Sequence, residues 1–274
     1  MAAALAALSV AASPSPSPAS VTIGQLAPGT NPSTYSVDYD WLQESVTSGS
    51  TYAVPGTGTI TSWAHNAGNG VGQTLTMKVF RKVADPATYR VVGHDGPRPL
   101  ATSTLNGFPT NIPVKPGDIV GLNSTSPADT ACVFGVPGGD IHLFSTSNLA
   151  DGGEGAFNQS PSYRINVSAV FVYSNSFTFG ETNRNKKKGT ATVTVSVPNP
   201  GELAVSGKGA KTAGATIAKT VTAAGDVELL IKTSGKSKRK LNDTGKVSIK
   251  PTFTYSPSGG DPSTQSKRLT LRKR

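Results

Sequence analysis

Polar and apolar residues alternate along many short segments of this chain. Val193, Val195 and Val197 alternate with threonine and serine, and segments 73–82 and 162–173 repeat the pattern. A period of two residues places successive side chains on opposite faces of a β-strand. The pattern therefore predicts half-buried strands, with the three valines facing a hydrophobic core.

Turn-forming residues separate these segments. The chain contains 30 glycines and 20 prolines, as in Pro116-Gly117-Asp118 and Asn199-Pro200-Gly201. Long runs of Leu, Glu, Lys and Ala at helical spacing are missing. Many short strands joined by turns predict an all-β protein of two antiparallel β-sandwich domains, the first jelly-roll-like and the second Ig-like. Pro251 lies inside the apolar run 247–255, which predicts an edge strand or a bulge there.

Charge divides the chain into two parts. Residues 1–173 hold 7 Lys/Arg and 10 Asp/Glu, whereas residues 174–274 hold 19 and 6. Such asymmetry indicates two domains with different partners, and an anionic partner for the second. We predict a signal-peptide-like leader and Pro/Ser linker over residues 1–20, a jelly-roll-like sandwich over 21–173, and a basic Ig-like sandwich over 174–274.

The first residues predict export. Met1–Ser13 is rich in alanine and leucine and ends in small residues, as secretory signal peptides do, and a Pro/Ser run follows. The alternative is a disordered, alanine-rich leader. No segment is long enough to predict a transmembrane helix. Cys132, the lone cysteine, is predicted to be a buried core residue rather than a nucleophile.

A resemblance supports this layout. Asn175–Gly180, Asn185–Ala191 and Val197–Leu203 in the second half, with Tyr52–Pro55 and Val114–Asp118 in the first, resemble uncharacterised secreted β-rich proteins of soil actinobacteria of the Solirubrobacter kind. The resemblance implies secretion, a jelly-roll-like N-terminal module and a basic Ig-like C-terminal module. It implies no catalytic residues.

Motifs for catalysis or for cofactors are missing from the sequence. It has no Gly-x-Ser-x-Gly elbow, no phosphate-binding glycine loop ahead of a helix, and no His-x-His pair. We therefore predict no catalytic residue, no cofactor and no metal site. Two weaker alternatives are a metal at His142 with Asp140, and calcium in the loop that carries Asp151 and Glu154.

An acidic and aromatic cluster is the ligand-binding candidate of the first half. It comprises Asp38, Tyr39, Asp40 and Trp41, whose flat rings and carboxylates suit a sugar. Trp41 is the better candidate for an exposed ring, with a core position as its alternative, and Trp63 is expected in the core. With Glu44, the two aspartates also raise the alternative of a carbohydrate-active hydrolase. The remaining rings considered are Tyr52 and Tyr163.

Two basic clusters are the candidates for contact with an anionic surface. Both are predicted to be hairpin turns. Lysine outnumbers arginine and aromatic residues are few in this half, so nucleic acid is an unlikely partner. The alternative is a solvated surface whose charges discourage edge pairing between strands. The cluster residues are Lys186, Lys187, Lys188, Lys236, Lys238, Arg239 and Lys240, followed by basic residues at the C-terminus.

Together these features predict a secreted, non-enzymatic binding or cell-surface structural protein that contacts carbohydrate or anionic wall polymers. The alternatives are an extracellular carbohydrate-active hydrolase and an inert structural spacer.

Overall fold

The computed structural model describes residues 19–29, 38–124, 130–136, 138–161, 163–212 and 218–274. Most of the predicted leader and linker, residues 1–18, lies outside the described residues. The described part of the chain is almost entirely β-strand in antiparallel sheets. The predicted all-β, sandwich-type fold class is confirmed.

The strands of the first half range from three to twelve residues. They are β1 (Ser20–Gln25), β2 (Tyr39–Ser45), β3 (Gly58–Asn66), β4 (Thr74–Ala84), β5 (Thr88–Pro99), β6 (Leu105–Val114), β7 (Ile119–Ser124), β8 (Val133–Gly135), β9 (Ile141–Ser145), β10 (Glu154–Ala156), β11 (Asn158–Pro161), β12 (Tyr163–Ile165) and β13 (Val167–Tyr173).

Four nested antiparallel pairs organise this half. β4 pairs with β5, β3 with β6, β2 with β7, and β1 with β13. Each pair encloses the previous one along the chain, as in a long hairpin rolled up into two sheets. One sheet has the order β1-β13-β3-β6, and the other contains β5-β4-β7-β2. This arrangement is a jelly roll.

Five short strands are inserted between β7 and β13. β9 pairs with the free edge of β2, β11 extends that edge, and β10 pairs with β5, so the larger sheet reaches seven strands among the described residues. β8 and β12 form a separate two-stranded ribbon. Trp63 and Cys132 are 1% and 0% exposed, which confirms their predicted core positions.

The second half forms another sandwich around its own hydrophobic cluster. Val193, Val195 and Val197 face this core as predicted, with exposures of 4% or less. Among the described residues its sheets have the orders β14-β15-β19-β17 and β18-β16-β21-β22, with a β20-β23 pair beside them. The elements are β14 (Thr178–Asn185), β15 (Thr190–Val197), β16 (Gly201–Ser206), β17 (Ala210–Thr212), β18 (Ala218–Val221), β19 (Gly225–Thr233), α1 (Gly235–Thr244), β20 (Lys246–Ile249), β21 (Thr252–Pro257), β22 (Ser263–Ser266) and β23 (Leu269–Arg272).

Two local expectations for this half are wrong. Residues 235–244 form helix α1, not a hairpin turn. The apolar run around Pro251 is not one edge strand but two strands, β20 and β21, which belong to different sheets. The chain changes sheet at Lys250 and Pro251 because proline cannot donate a ladder hydrogen bond. The turn at Lys186–Gly189 between β14 and β15 is confirmed.

A buried amide is one of the connections between the two sandwiches. The side chain of Asn199, which is 1% exposed, accepts a hydrogen bond from Thr57 N at 2.7 Å. Its Nδ2 donates to the carbonyl oxygens of Thr57 and Ser174, both at 2.9 Å. The Tyr255 hydroxyl donates to Asn199 O at 2.7 Å, which anchors the amide to the second core. The amide side chain therefore bonds to Thr57 N, Thr57 O and Ser174 O, and Thr57 O also accepts from Ser174 N.

We predict that Asn199→Ala lowers the free energy of unfolding of the full chain by about 1–3 kcal/mol, because the half-buried Thr57 N and Ser174 O lose their hydrogen-bond partner. Guanidinium denaturation followed by tryptophan fluorescence and circular dichroism measures the change. Asn183→Ala, at an exposed position, is the matched control and should stay within about 0.5 kcal/mol of wild type. Equal midpoints and slopes for the two variants would contradict the role given to Asn199.

Candidate functional site

Four separate basic segments meet on one surface of the second sandwich. Lys188 lies in the β14–β15 turn, Lys232 near the end of β19, Lys238 on α1, and Lys273 just after β23. These four lysines line one depression of about 350 Å³, together with Thr190, Thr233 and Asn242. Arg184, Lys186 and Lys187 line an open depression on the same turn. We call these seven cationic residues the basic face.

Backbone contacts bring the segments of the basic face together. Arg274 N donates to Lys186 O at 3.0 Å, and Lys273 N donates to Gly245 O at 2.9 Å, so the C-terminal residues lie between the turn and the helix. Leu241, 3% exposed, anchors α1 to the second core. Gly189 has a φ of +65° there, and a Cβ on it would lie 2.8 Å from Leu241 Cδ2. A larger residue here would be strained by the positive φ and would displace the Leu241 methyl group.

The helix determines which of the predicted basic residues reach the depression. Lys238, Leu241 and Asn242 are spaced i, i+3 and i+4, and therefore share one side of α1. Lys236, Arg239 and Lys240 do not line the depression, although all three are exposed. Lys232 also lines the depression, and nothing in the sequence near it indicates this. Only the packing of β19 beside α1 reveals it.

Within the described residues, the charges of the basic face have no acidic partners. All eight ion pairs among the described residues join side chains within positions 40–164, so none involves the described part of the second half. The Lys273 ammonium donates to the amide oxygen of Asn242 at 2.9 Å, which positions it without neutralising it. The depression therefore has a positive potential that favours an anion.

The aromatic candidates of the first half line a different pocket, of about 300 Å³. Tyr39 and Trp41 contribute from β2, and they share one face of that strand because they are two residues apart. Trp41 faces Phe144 of β9 in the strand register, with ring centroids 5.8 Å apart. The ribbon β8–β12 closes the pocket on the other side. The complete lining is Tyr39, Trp41, Val133, His142, Phe144, Ser160 and Tyr163, which we call the ring pocket.

Trp41 takes the core position that was the alternative to an exposed ring. Only 4% of it is exposed, so it forms the floor of the ring pocket rather than a free flat face. The half-buried rings of Tyr39, Phe144 and Tyr163 form the accessible walls. Of these, Phe144 could not be predicted from the sequence as a pocket residue, because its proximity to Trp41 depends on the pairing of β2 with β9.

The aspartates of the predicted ligand cluster lie apart from the ring pocket. Asp40 is fully buried, accepts a hydrogen bond from Lys78 Nζ at 2.6 Å, and accepts another from Leu149 N at 2.9 Å. Burial raises the pKa of Asp40, and the Lys78 ammonium opposes that rise. Asp38 is exposed and accepts from Asn123 Nδ2 at 3.4 Å.

The hydrolase alternative requires two carboxylates that face one shared cleft. Glu44 instead accepts from the Tyr89 hydroxyl at 2.9 Å, whereas Asp40 is engaged by Lys78. Asp40 and Glu44, the two acidic residues of β2, therefore bond to different partners, and neither lines the ring pocket.

The carboxylates of the alternative metal and calcium sites already bond to arginine or histidine side chains. Within the described residues, no group of three or more His, Cys, Asp and Glu side chains could hold a metal ion. The partners are Arg164 for Asp140, His94 for Asp151, and Arg90 for Glu154.

His142 is the titratable residue of the ring pocket. Its ring stacks on Trp41 at a centroid distance of 5.7 Å and meets Tyr163 edge-on at 5.8 Å. Its Nδ1 is buried and has no hydrogen-bond partner among the described residues. Burial lowers the pKa of His142 to about 4, so the imidazole is neutral at neutral pH.

Comparison with known proteins assigns no family. No protein-family model matches the chain, and no curated protein matches it.

We predict that acid destabilises the folded protein through His142. Its folded pKa of about 4 lies below the ordinary value of 6.5, so between these pH values the unfolded chain binds a proton that the folded chain does not. Stability is therefore lost as pH falls, by up to about 1.4 kcal/mol per pH unit for this one group. Denaturation of wild type and His142→Phe at pH 7, 6, 5 and 4.5 measures the difference.

The variant keeps a ring against Trp41 and lacks the titrating group, so its stability should decline less steeply with acid. Burial also lowers the pKa of His65, but that residue is present in both proteins and cancels in the difference. Parallel stability curves for the two proteins would refute the prediction.

Proposed function

We propose that this protein is a secreted, non-enzymatic binding protein that attaches to anionic cell-wall or extracellular polysaccharide polymers through its basic face. The observation that carries the proposal is the convergence of Lys188, Lys232, Lys238 and Lys273 on one depression, with no ion pair in the described part of the second half. Unpaired like charges repel one another, and a bound polyanion relieves that repulsion.

The type of cation favours a polymer with repeated single charges. Lysine is a compact point charge on a flexible stem, whereas arginine presents a planar fork for bidentate recognition. The basic face holds six lysines and one arginine, Arg184. It extends over two neighbouring depressions, which suits several charges along a chain better than one small anion.

Nucleic acid fits the basic face less well. Binding of single strands needs exposed aromatic rings on which bases stack. Three of the four aromatic residues of the second half, Phe177, Phe253 and Tyr255, are 3% exposed or less. The fourth, Phe179, is half-buried and lies under the Lys267 ammonium at 4.8 Å. None of them lines the depressions of the basic face.

Export is the second part of the proposal, and residues 1–20 support it through their signal-peptide-like composition. In the described part of the chain, no helix has the length and apolar character needed to cross a membrane.

We predict that a secreting actinobacterial host, expressing the chain with residues 1–20 included, releases the protein into the medium. Intact mass spectrometry should show that the released protein begins after residue 12 or after residue 19. Retention of the full-length chain inside the cells would contradict export.

We predict that Lys188→Gln/Lys238→Gln weakens binding to poly(glycerol phosphate) about 30-fold at low salt, if each lysine contributes about 1 kcal/mol near an anionic surface. The control Lys115→Gln/Lys219→Gln removes the same charge outside the basic face and should bind within about twofold of wild type. Biolayer interferometry at 50 and 300 mM NaCl measures both the affinity and its dependence on salt.

Binding by wild type should weaken strongly at the higher salt concentration, because the contacts are between solvated charges. An equal loss in both double variants would mean that net charge, not the basic face, attracts the polymer. Tighter binding to a single-stranded DNA oligonucleotide than to poly(glycerol phosphate) or alginate would overturn the choice of polymer class.

A further inference from the structure

The ring pocket has an uncharged lining. Its seven residues include no acidic or basic side chain other than His142, whose pKa of about 4 leaves it neutral at physiological pH. Nearby charged groups form ion pairs outside the pocket, as Asp140 does with Arg164. A charged ligand would lose its hydration in this pocket without gaining an opposite charge, which is costly. The pocket therefore selects a neutral ligand.

Aromatic faces form the apolar part of the pocket. Tyr39 stacks on Phe144 with a centroid distance of 5.6 Å and an interplanar angle of 16°, so these two rings form a continuous wall. Trp41 lies beside them, tilted by 42° to Tyr39. Packed rings of this kind hold their positions without a ligand, so a ring-shaped molecule could bind with little rearrangement.

Hydroxyl groups form the polar part. The hydroxyls of Tyr39, Ser160 and Tyr163 make no hydrogen bond with any described residue, and all three residues are half-buried. A tyrosine hydroxyl can both donate and accept, as can a serine hydroxyl. A ligand that carries several hydroxyl groups can therefore both donate hydrogen bonds to the pocket and accept them from it.

We propose that the ring pocket binds one neutral pyranose residue of a carbohydrate. A pyranose combines apolar C–H faces, which pack on aromatic rings, with hydroxyl groups around its edge. A volume of about 300 Å³ lies at the lower end of the range for ligand pockets, which suits one sugar ring rather than a long chain. The site lies in the first sandwich and is independent of the proposed attachment through the basic face.

Saturation-transfer NMR on the full chain at pH 7 tests the proposal. The probes are the methyl pyranosides of glucose, galactose, mannose and N-acetylglucosamine, with indole as an apolar comparison. At least one pyranoside should receive saturation, and titration should give a dissociation constant. Since one ring offers few contacts, we expect a millimolar constant.

Tyr163→Ala and Tyr39→Ala should each weaken pyranoside binding at least fivefold, whereas Val71→Ala, which changes an exposed side chain away from the pocket, should not. Tyr163→Phe keeps the ring and removes only the hydroxyl, so it should bind more weakly than wild type and more tightly than Tyr163→Ala. Circular dichroism and thermal midpoints verify that each variant is folded.

Saturation of indole but of no pyranoside would overturn the proposal, because it would make the pocket a purely apolar site. Pyranoside binding that survives both alanine substitutions would also overturn it, since the sugar would then bind elsewhere. Lys188→Gln/Lys238→Gln should leave pyranoside binding unchanged, so failure of the attachment proposal and failure of the pyranose proposal are distinguishable.

Discussion

Side chains on a β-strand alternate between its two faces, and the arrangement of the candidate sites depends on this constraint. On β2, Trp41 points with Tyr39 into the ring pocket, whereas the neighbouring Asp40 points to the other face and meets Lys78. The register that pairs Trp41 with Leu122 and Phe144 fixes this choice. A slip by one residue would put a carboxylate in the pocket and an indole against an ammonium.

The same alternation explains which features the sequence predicts well. The strands around Val193 and Leu75 are evident because their period is local, and both residues are almost fully buried. Helix α1 was missed because Leu241 is the only buried residue in it, so it lacks the apolar stripe that identifies a helix in a sequence. In the sequence alone, its run of basic residues is equally typical of a solvated turn.

The candidate sites were predicted only in part, because each depends on contacts between distant segments. Tyr39 and Trp41 could be chosen as ring candidates from composition, but Phe144 joins them only through the pairing of β2 with β9. Likewise, the sequence places Lys188 and Lys273 far apart, and the contact between Arg274 N and Lys186 O brings their segments together. A single sequence contains no direct signal of these pairings.

The two sandwiches use charge in opposite ways. The first pairs most of its described charges internally, and some of the pairs are buried, such as Arg164 with Asp140 and Lys78 with Asp40. Removing one partner of such a pair is costly because it leaves a buried charge. The second sandwich is held by an apolar core, so its exposed lysines can be changed at little cost in stability. Variants of the basic face therefore test binding rather than folding.

The Asn199 junction also has a mechanical consequence. A polymer held by the basic face and pulled by flow would load the connection between the sandwiches, where Asn199 bonds to Thr57 and Ser174. These three hydrogen bonds, together with the one that Ala19 N donates to Asp261 Oδ2, would carry that force beside the covalent chain, whereas each sandwich resists it with whole ladders of strand pairs. Under tension the junction would therefore yield before either sandwich, and the protein would lengthen at this point while its core packing stayed intact.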